Sequence, residues 1–187
     1  MAYQSGKTYY LVPRFWVSST TSRENILNKK TKPLALNTKG TGGHYNNRDC
    51  NLWTLDYSTD MLEQAEKRLS GQAHIRCVQG DVGSLPMADE SFDIVVSMNG
   101  FHAFPDKQKA FSETWRVLKP GGDFIACFYI RGKCKRTDWL VKNILAKKGW
   151  FTPPFQTEEE LIDILIGMYR KVELHVDGSM VYFHCVK

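Results

Sequence analysis

From Asn51 onward, apolar positions along the chain switch regularly between a two-residue and a three-to-four-residue spacing, which predicts alternating strands and helices. "NLWTLD" (51–56) predicts a short strand. "STDMLEQAEKRLSG" predicts a helix capped by Ser58 and stopped by Gly71, with Met61, Leu62, Ala65 and Leu69 on its apolar face. "HIRCVQGD" (74–81) predicts a strand with Ile75, Cys77 and Gln79 on one face. "FDIVVSM" (92–98) is nearly all apolar, as a strand covered on both sides should be. "DKQKAFSETWRVL" (106–118) predicts a helix turning Ala110, Phe111, Trp115 and Leu118 inward. It is ended by "KPGG", because proline cannot continue a helix and glycine permits a reversal. "DFIACFYI" (123–130) is a further buried strand. "TEEELIDILIGMY" opens with a capping box, Thr157 with Glu160, and is expected to carry Leu161, Ile162, Leu165 and Ile166 inward. "KVELHV" and "MVYFHCV", joined by "DGS", predict a closing antiparallel hairpin.

This order predicts an α/β fold with a doubly wound sheet, whose ligands bind beyond the carboxyl ends of the strands. The earlier part of the chain is less regular. "LALNTKGTGGHY" (34–45) reads as a strand entering a glycine turn, yet only "HYNNRDC" separates Gly43 from Asn51. A right-handed crossover takes about a dozen residues in all, so the first strand–helix unit is shortened to a turn or two. Residues 1–33 are aromatic and polar, with one predicted helix from Ser22 ("SRENILNKK"), and form an N-terminal lid or cap. Residues 34–187 form the core, giving one domain over 1–187. "GKT" at Gly6–Thr8 is not a phosphate loop, because Met1 stands where that motif needs glycine.

Composition narrows the class. With 42% hydrophobic and 24% charged residues and a net charge of +5, the chain reads as a soluble globular domain. No apolar run is long enough for stable membrane insertion, and no secretory leader is visible. Cys50, Cys77, Cys127, Cys134 and Cys185 are odd in number and form no C-x-x-C pair. That predicts neither a disulfide framework nor a zinc site, and a reducing, cytoplasmic setting. The histidines have no metal-ligand spacing, so no metal is expected.

Two acids end successive strands. Asp56 stands before a helix cap, where a carboxylate either accepts from both hydroxyls of a ribose or serves as a second cap. Asp81, in "QGDV", either accepts from an adenine amino group beside the Val82 N–H or is an ordinary turn residue. "RVLKPGG" (116–122), preceded by "ADESFDIVVSMNGFHAF", resembles the class I S-adenosylmethionine-dependent methyltransferases, and among them the small-molecule enzymes related to ubiquinone and menaquinone biosynthesis. "LDYSTDML" is similar to that family's ribose-binding strand end, and "GDVGSLPMADESFDIVVS" to its adenine-binding acid and next strand. The resemblance implies a Rossmann-like seven-stranded sheet in the order 3-2-1-4-5-7-6 with strand 7 antiparallel, and S-adenosyl-L-methionine as cofactor. It also implies ribose binding by Asp56, adenine contacts from Tyr57, Met61, Asp81 and Val82, and Ser97 to Asn99 beside the methyl group. Gly40 and Gly42 match the later glycines of the family's loop. Thr38 stands in place of the first glycine, and Leu36 in place of the acid that ends the first strand.

The activity implied is methyl transfer to an oxygen, nitrogen or carbon nucleophile of a small molecule. His102, just past a strand end, either accepts a proton there or shapes the pocket. A second reading is a methyltransferase-like binding protein with a degenerate cofactor loop. A third is a short-chain NAD(P)-dependent dehydrogenase, suggested by the Y-x-x-x-K spacing of Tyr129 and Lys133, although Gly132 argues against the helix that pair requires. No motif for nucleic-acid methylation follows "FDIVVS", and the basic run "RGKCKR" reads as a solvated loop. "DWLVKNILAKKGWF" (138–151) sets Trp139, Leu140, Ile144 and Leu145 against Lys142, Lys147 and Lys148. It reads as a lid, as a surface helix touching a membrane or apolar ligand, or as a helix packed on the sheet edge.

Overall fold

A computed structural model describes residues 2–5, 8–11, 33–36, 51–69 and 74–187. The expected helix from Ser22 and the glycines Gly40 and Gly42 lie outside the described residues. Strands β1 (Ala2–Ser5) and β2 (Thr8–Leu11) pair antiparallel as a two-stranded ribbon. The other elements are β3 (Pro33–Leu36), β4 (Leu52–Asp56), α1 (Thr59–Leu69), β5 (Ile75–Gln79), β6 (Phe92–Met98) and α2 (Lys107–Val117). They continue with β7 (Leu118–Tyr129), α3 (Lys135–Leu140), α4 (Glu158–Met168), β8 (Lys171–Asp177) and β9 (Met180–Val186).

The main sheet runs β5-β4-β3-β6-β7-β9-β8. Counted from β3, this is the expected order 3-2-1-4-5-7-6. β3 through β7 pair in parallel, and β9 runs antiparallel to both of its neighbours. β6 sits in the middle, and its alternating side chains meet cover on both faces: Phe92, Ile94, Val95, Val96 and Ser97 are all buried. β3 and β4 are parallel neighbours, in register from Leu34 with Trp53 to Leu36 with Leu55. β8 and β9 form the hairpin predicted from "DGS".

Three sequence expectations shift. "KPGG" does not separate helix from strand. Val117 ends α2, and Leu118 already pairs with Phe92; the next pair is Ile94 with Asp123, so Lys119–Gly122 bulge out of a continuous strand. Gly121 has φ +77°, and a Cβ on Gly122 would lie 2.9 Å from two carbonyl oxygens, so both positions require glycine. On α2, the buried positions are Lys107, Ala110, Phe111, Thr114 and Val117, while Trp115 is exposed. Thr114 is tolerated inside because its hydroxyl donates to the Ala110 carbonyl at 2.7 Å. The Trp115 indole instead donates to the Met168 carbonyl at 2.9 Å, tying α2 to α4 at the surface. On α4, Leu161 and Leu165 are buried with Ile164 and Met168 packed beside them, whereas Ile166 is exposed.

Aromatic residues dominate the core between α2, β7 and β9. Phe101 is fully buried and meets Phe104, Phe111, Phe124 and Phe128 at centroid distances of 4.4–5.7 Å. It locks the turn after β6 onto the sheet, and so fixes where that strand end presents its residues.

Candidate active site at the carboxyl ends of the parallel strands

Hydrogen-bond register aligns Val78, Leu55, Leu36, Ser97 and Ala126 in one row across β5, β4, β3, β6 and β7. The candidate site residues lie on or just beyond this row. Asp56 ends β4, and one of its carboxylate oxygens accepts from the Ser58 N–H at 3.0 Å. Ser58 in turn accepts from the Met61 N–H at 3.4 Å, so the predicted cap is present and Asp56 supports it. Tyr57 is exposed, and Met61 half-buried on the first turn of α1.

The neighbouring strand end is tied to this one. Gly80 N–H donates to the Asp56 carbonyl at 3.1 Å, and the Gln79 side-chain amide donates to the Tyr57 carbonyl at 3.3 Å. Asp81 then opens a tight turn: Oδ1 accepts from the Gly83 N–H at 2.8 Å, and its carbonyl accepts from the Ser84 N–H at 3.0 Å. Val82 is buried beneath that turn. Both acids thus hold their own turns with one oxygen, on adjacent strands.

Ser97, Met98 and Asn99 belong to β6, separated from β4 by β3. The Ser97 hydroxyl is buried with no hydrogen-bond partner among the described residues. Asn99 takes φ +58°, the left-handed conformation that asparagine tolerates better than most residues. Its N–H donates to the Cys127 carbonyl at 2.8 Å. A Cβ on Gly100 would lie 2.7 Å from the Ser97 hydroxyl and 2.8 Å from the Phe104 ring. The chain therefore turns sharply here, packed tightly on one side and carrying an unpaired buried hydroxyl, a combination found where a polar ligand completes a site.

His102 follows on the same turn. Its ring stacks on Phe151 with centroids 4.1 Å apart, and Nδ1 is buried without a partner among the described residues. Burial, and secondarily the Lys107 ammonium, push its pKa down to about 4, so the imidazole is neutral at neutral pH. Phe151 ends the segment for which a lid was one of three sequence readings, and it covers His102 here; the contacts of Thr152 and Lys107 that hold this cover were not expected from the sequence. Thr152 donates through its N–H to the His102 carbonyl (2.9 Å) and through its hydroxyl to the Ala103 carbonyl (2.9 Å). The buried Lys107 ammonium donates to the carbonyls of Thr152 (2.6 Å) and Phe104 (3.1 Å). Phe151, Phe155 and Tyr129 pack edge to face around this clamp. The contacts of Thr152 with His102, Ala103 and Lys107 join residues more than forty positions apart, and no spacing in the sequence announces them.

Tyr129 and Lys133 do not form a dehydrogenase pair. Tyr129 ends a strand, its hydroxyl donates to Asp138 at 2.6 Å, Gly132 has φ +92°, and Lys133 pairs with Glu158. Among the described residues, no group of three or more His, Cys, Asp or Glu side chains comes together as a metal site.

Known proteins place this architecture. A "Methyltransferase domain" family pattern matches residues 39–126. The chain is 30% identical over 111 residues to a demethylmenaquinone methyltransferase of Clavibacter sepedonicus, covering 59% of this chain and 45% of that protein. It is 41% identical over 75 residues to the enzyme of the same name from Lactobacillus johnsonii, covering 38% and 31% respectively. It therefore spans less than half the length of these curated relatives. Among solved structures, the YcgJ protein of Bacillus subtilis superposes with a TM-score of 0.70 at 21% identity, over 83% of this chain and 68% of that one. Haemonchus contortus phospholethanolamine N-methyltransferase 2, in complex with phosphomonomethylethanolamine and S-adenosylhomocysteine, superposes with a TM-score of 0.74 at 15% identity, over 94% and 53%. The structural likenesses establish the fold, and over the parts that the domain match and the sequence relatives cover, the chain is similar to methyltransferases.

Proposed function

We propose that this protein transfers the methyl group of S-adenosylmethionine to an oxygen, nitrogen or carbon nucleophile of a small molecule. The observation that carries this reading is the pair of acids, Asp56 and Asp81, just beyond adjacent parallel strands of the family's sheet. The cofactor's chemistry is an activated methyl on a sulfonium. The chain's own residues bind, orient and exclude water around it. Asp56 accepts from the ribose hydroxyls. Tyr57 and Met61 flank the adenine, and Asp81 with the Val82 N–H reads its edge. The Asp81 and Asp56 turns are prebuilt by their own hydrogen bonds, so little ordering is left for binding. The unpaired Ser97 hydroxyl and the left-handed Asn99 provide polar contacts beside the transferring group.

His102 is neutral and half-buried. In this role it accepts a hydrogen bond from the nucleophile and positions it, and alignment supplies much of the acceleration. Gly40 and Gly42 would approach the methionine end of the cofactor. Leu36 is fully buried in the core in register with Leu55 and Ser97, so the acid expected at this point of the family's first strand is replaced by packing. The methionine half should accordingly be held less firmly than the adenosine half. The described cysteines Cys77, Cys127, Cys134 and Cys185 are free thiols, which supports action in a reducing compartment such as the cytoplasm.

Calorimetry with S-adenosylmethionine tests the reading. Asp56→Ala and Asp81→Ala should each weaken binding by about one to two decades, the loss of a charge-assisted hydrogen bond at about 1.5–3 kcal/mol. Unchanged affinity in both variants would sink the site assignment. The competing reading, a binding protein without activity, would show those same losses but no methyl transfer to any phenolic, amine or carbon acceptor supplied.

A further inference from the structure

The segment after β7 carries a surface that methyl transfer does not use. α3 runs on through a wider turn, in which the Ala146 N–H donates to the Val141 carbonyl (2.8 Å), and ends where the Trp150 N–H donates to the Leu145 carbonyl (3.1 Å) across the left-handed Gly149. Val141 anchors its inner side in the core. On its outer side the exposed apolar residues Trp139, Leu140 and Ile144 lie between Lys135 and Arg136 at one end and Lys147 and Lys148 at the other, with the Asn143 amide beside them donating to the Trp139 carbonyl. Trp139 is 61% and Trp150 60% exposed, and Leu140 and Ile144 are also exposed.

The charge on this face has one sign. Lys135, Arg136, Lys142, Lys147 and Lys148 have no ion pair among the described residues. Asp138, the single acid between residues 131 and 150, is turned inward, where it accepts from the Tyr129 hydroxyl and the Gly132 N–H (2.9 Å). The neighbouring cations Arg131 and Lys133 are already neutralised by Glu160 and Glu158. The Lys148 ammonium lies 5.1 Å from the Trp150 ring, leaving its charge at the edge of the apolar strip.

We propose that the face formed by residues 135–150 docks this protein onto the surface of an anionic lipid bilayer. Exposed tryptophans flanked by unpaired lysines match the interface between acyl chains and negative headgroups, where the rings sit shallowly and the cations reach the phosphates. Protein interfaces enrich tryptophan but deplete lysine, so four lysines around the strip favour lipid over a protein partner. No helix among the described residues is long and apolar enough to cross a membrane, so the helix lies on the surface. Because α3 follows the carboxyl end of β7, the docked face belongs to the same edge of the sheet as the candidate site. The proposal does not depend on methyl transfer.

Co-sedimentation with phosphatidylcholine–phosphatidylglycerol vesicles, against vesicles of phosphatidylcholine alone, tests it. The protein should pellet with the anionic vesicles, release with added salt, and show a blue shift in tryptophan emission. Replacing Lys135, Arg136, Lys147 and Lys148 by Gln should weaken the binding about five-fold for each charge removed. Trp139→Ser with Trp150→Ser should abolish the binding while leaving the thermal midpoint unchanged, since both rings are exposed. Absence of pelleting with anionic vesicles, or equal pelleting of the serine variant, overturns the proposal. So does sedimentation velocity showing a dimer that the serine variant breaks without any vesicle binding, because the face would then belong to a second copy.

Discussion

Replacing Lys107 by Met should open the cover over the candidate site while leaving the fold intact. Lys107 is 6% exposed, and its ammonium holds two carbonyls, Thr152 at 2.6 Å and Phe104 at 3.1 Å. Each charge-assisted bond is worth about 1.5–3 kcal/mol. Burial opposes part of this, since it disfavours the ammonium and lowers the pKa of the lysine. Methionine fills the same space without that penalty, but it leaves the Thr152 carbonyl to find water. A net cost of about 2 kcal/mol, confined to residues 151–155, would raise the opening equilibrium of that segment about thirty-fold. Amide exchange should show this at Thr152, whose N–H donates to the His102 carbonyl. The pKa of His102 should rise as well, because both causes that hold it near 4, burial under Phe151 and the Lys107 charge, weaken together. Histidine resonances followed by NMR titration would read the shift toward the ordinary value near 6.5. Lys107→Arg, which keeps the charge and donors, should move both readouts less. If His102 still titrates near 4 and Thr152 exchanges at its original rate in Lys107→Met, the clamp does not hold the cover.

Other consequences are more local. His102 is depressed in the folded state, so the unfolded chain binds its proton first as pH falls, and stability drops between about 6.5 and 4. Relative to His102→Gln, the parent should lose about 2–3 kcal/mol over that range in chemical denaturation. The opposite titration of His184, raised by its 2.6 Å bond to Asp123 and fading as pH rises, is common to both proteins and cancels. Tyr129→Phe removes a 2.6 Å bond to Asp138 that joins the end of β7 to α3, and should cost about 1.5–3 kcal/mol, read as a lower urea midpoint at unchanged slope. Thr157→Ala breaks the reciprocal capping box at the start of α4 and should cost about 1 kcal/mol in the same assay. A cost near zero would mean that packing of Leu161 and Leu165 alone fixes that end.

The sequence by itself determined the order of elements from β4 onward and the polarity of each. Those features are local. Period-two and helical spacings, the Ser58 and Thr157 caps and the "DGS" turn each act within a few residues, so no distant partner is needed to read them. Strand ends were legible for the same reason, and Asp56 and Asp81 stand where their strands stop. Tertiary structure decided what depends on partners far along the chain. Which α2 positions face inward turns on how the helix lies against β7, and Thr114 takes a buried place because its hydroxyl can satisfy itself on the preceding turn. "KPGG" contains every local signal of a break, yet Lys187 pairs with Gly121 and Gly122 from across the sheet and holds the stretch as a bulge within one strand. The cover over His102 is the clearest case: Lys107 and Thr152 meet across more than forty residues. A lone lysine on a helix reads as a solvated charge until the packing shows that it is buried and that two carbonyls receive it.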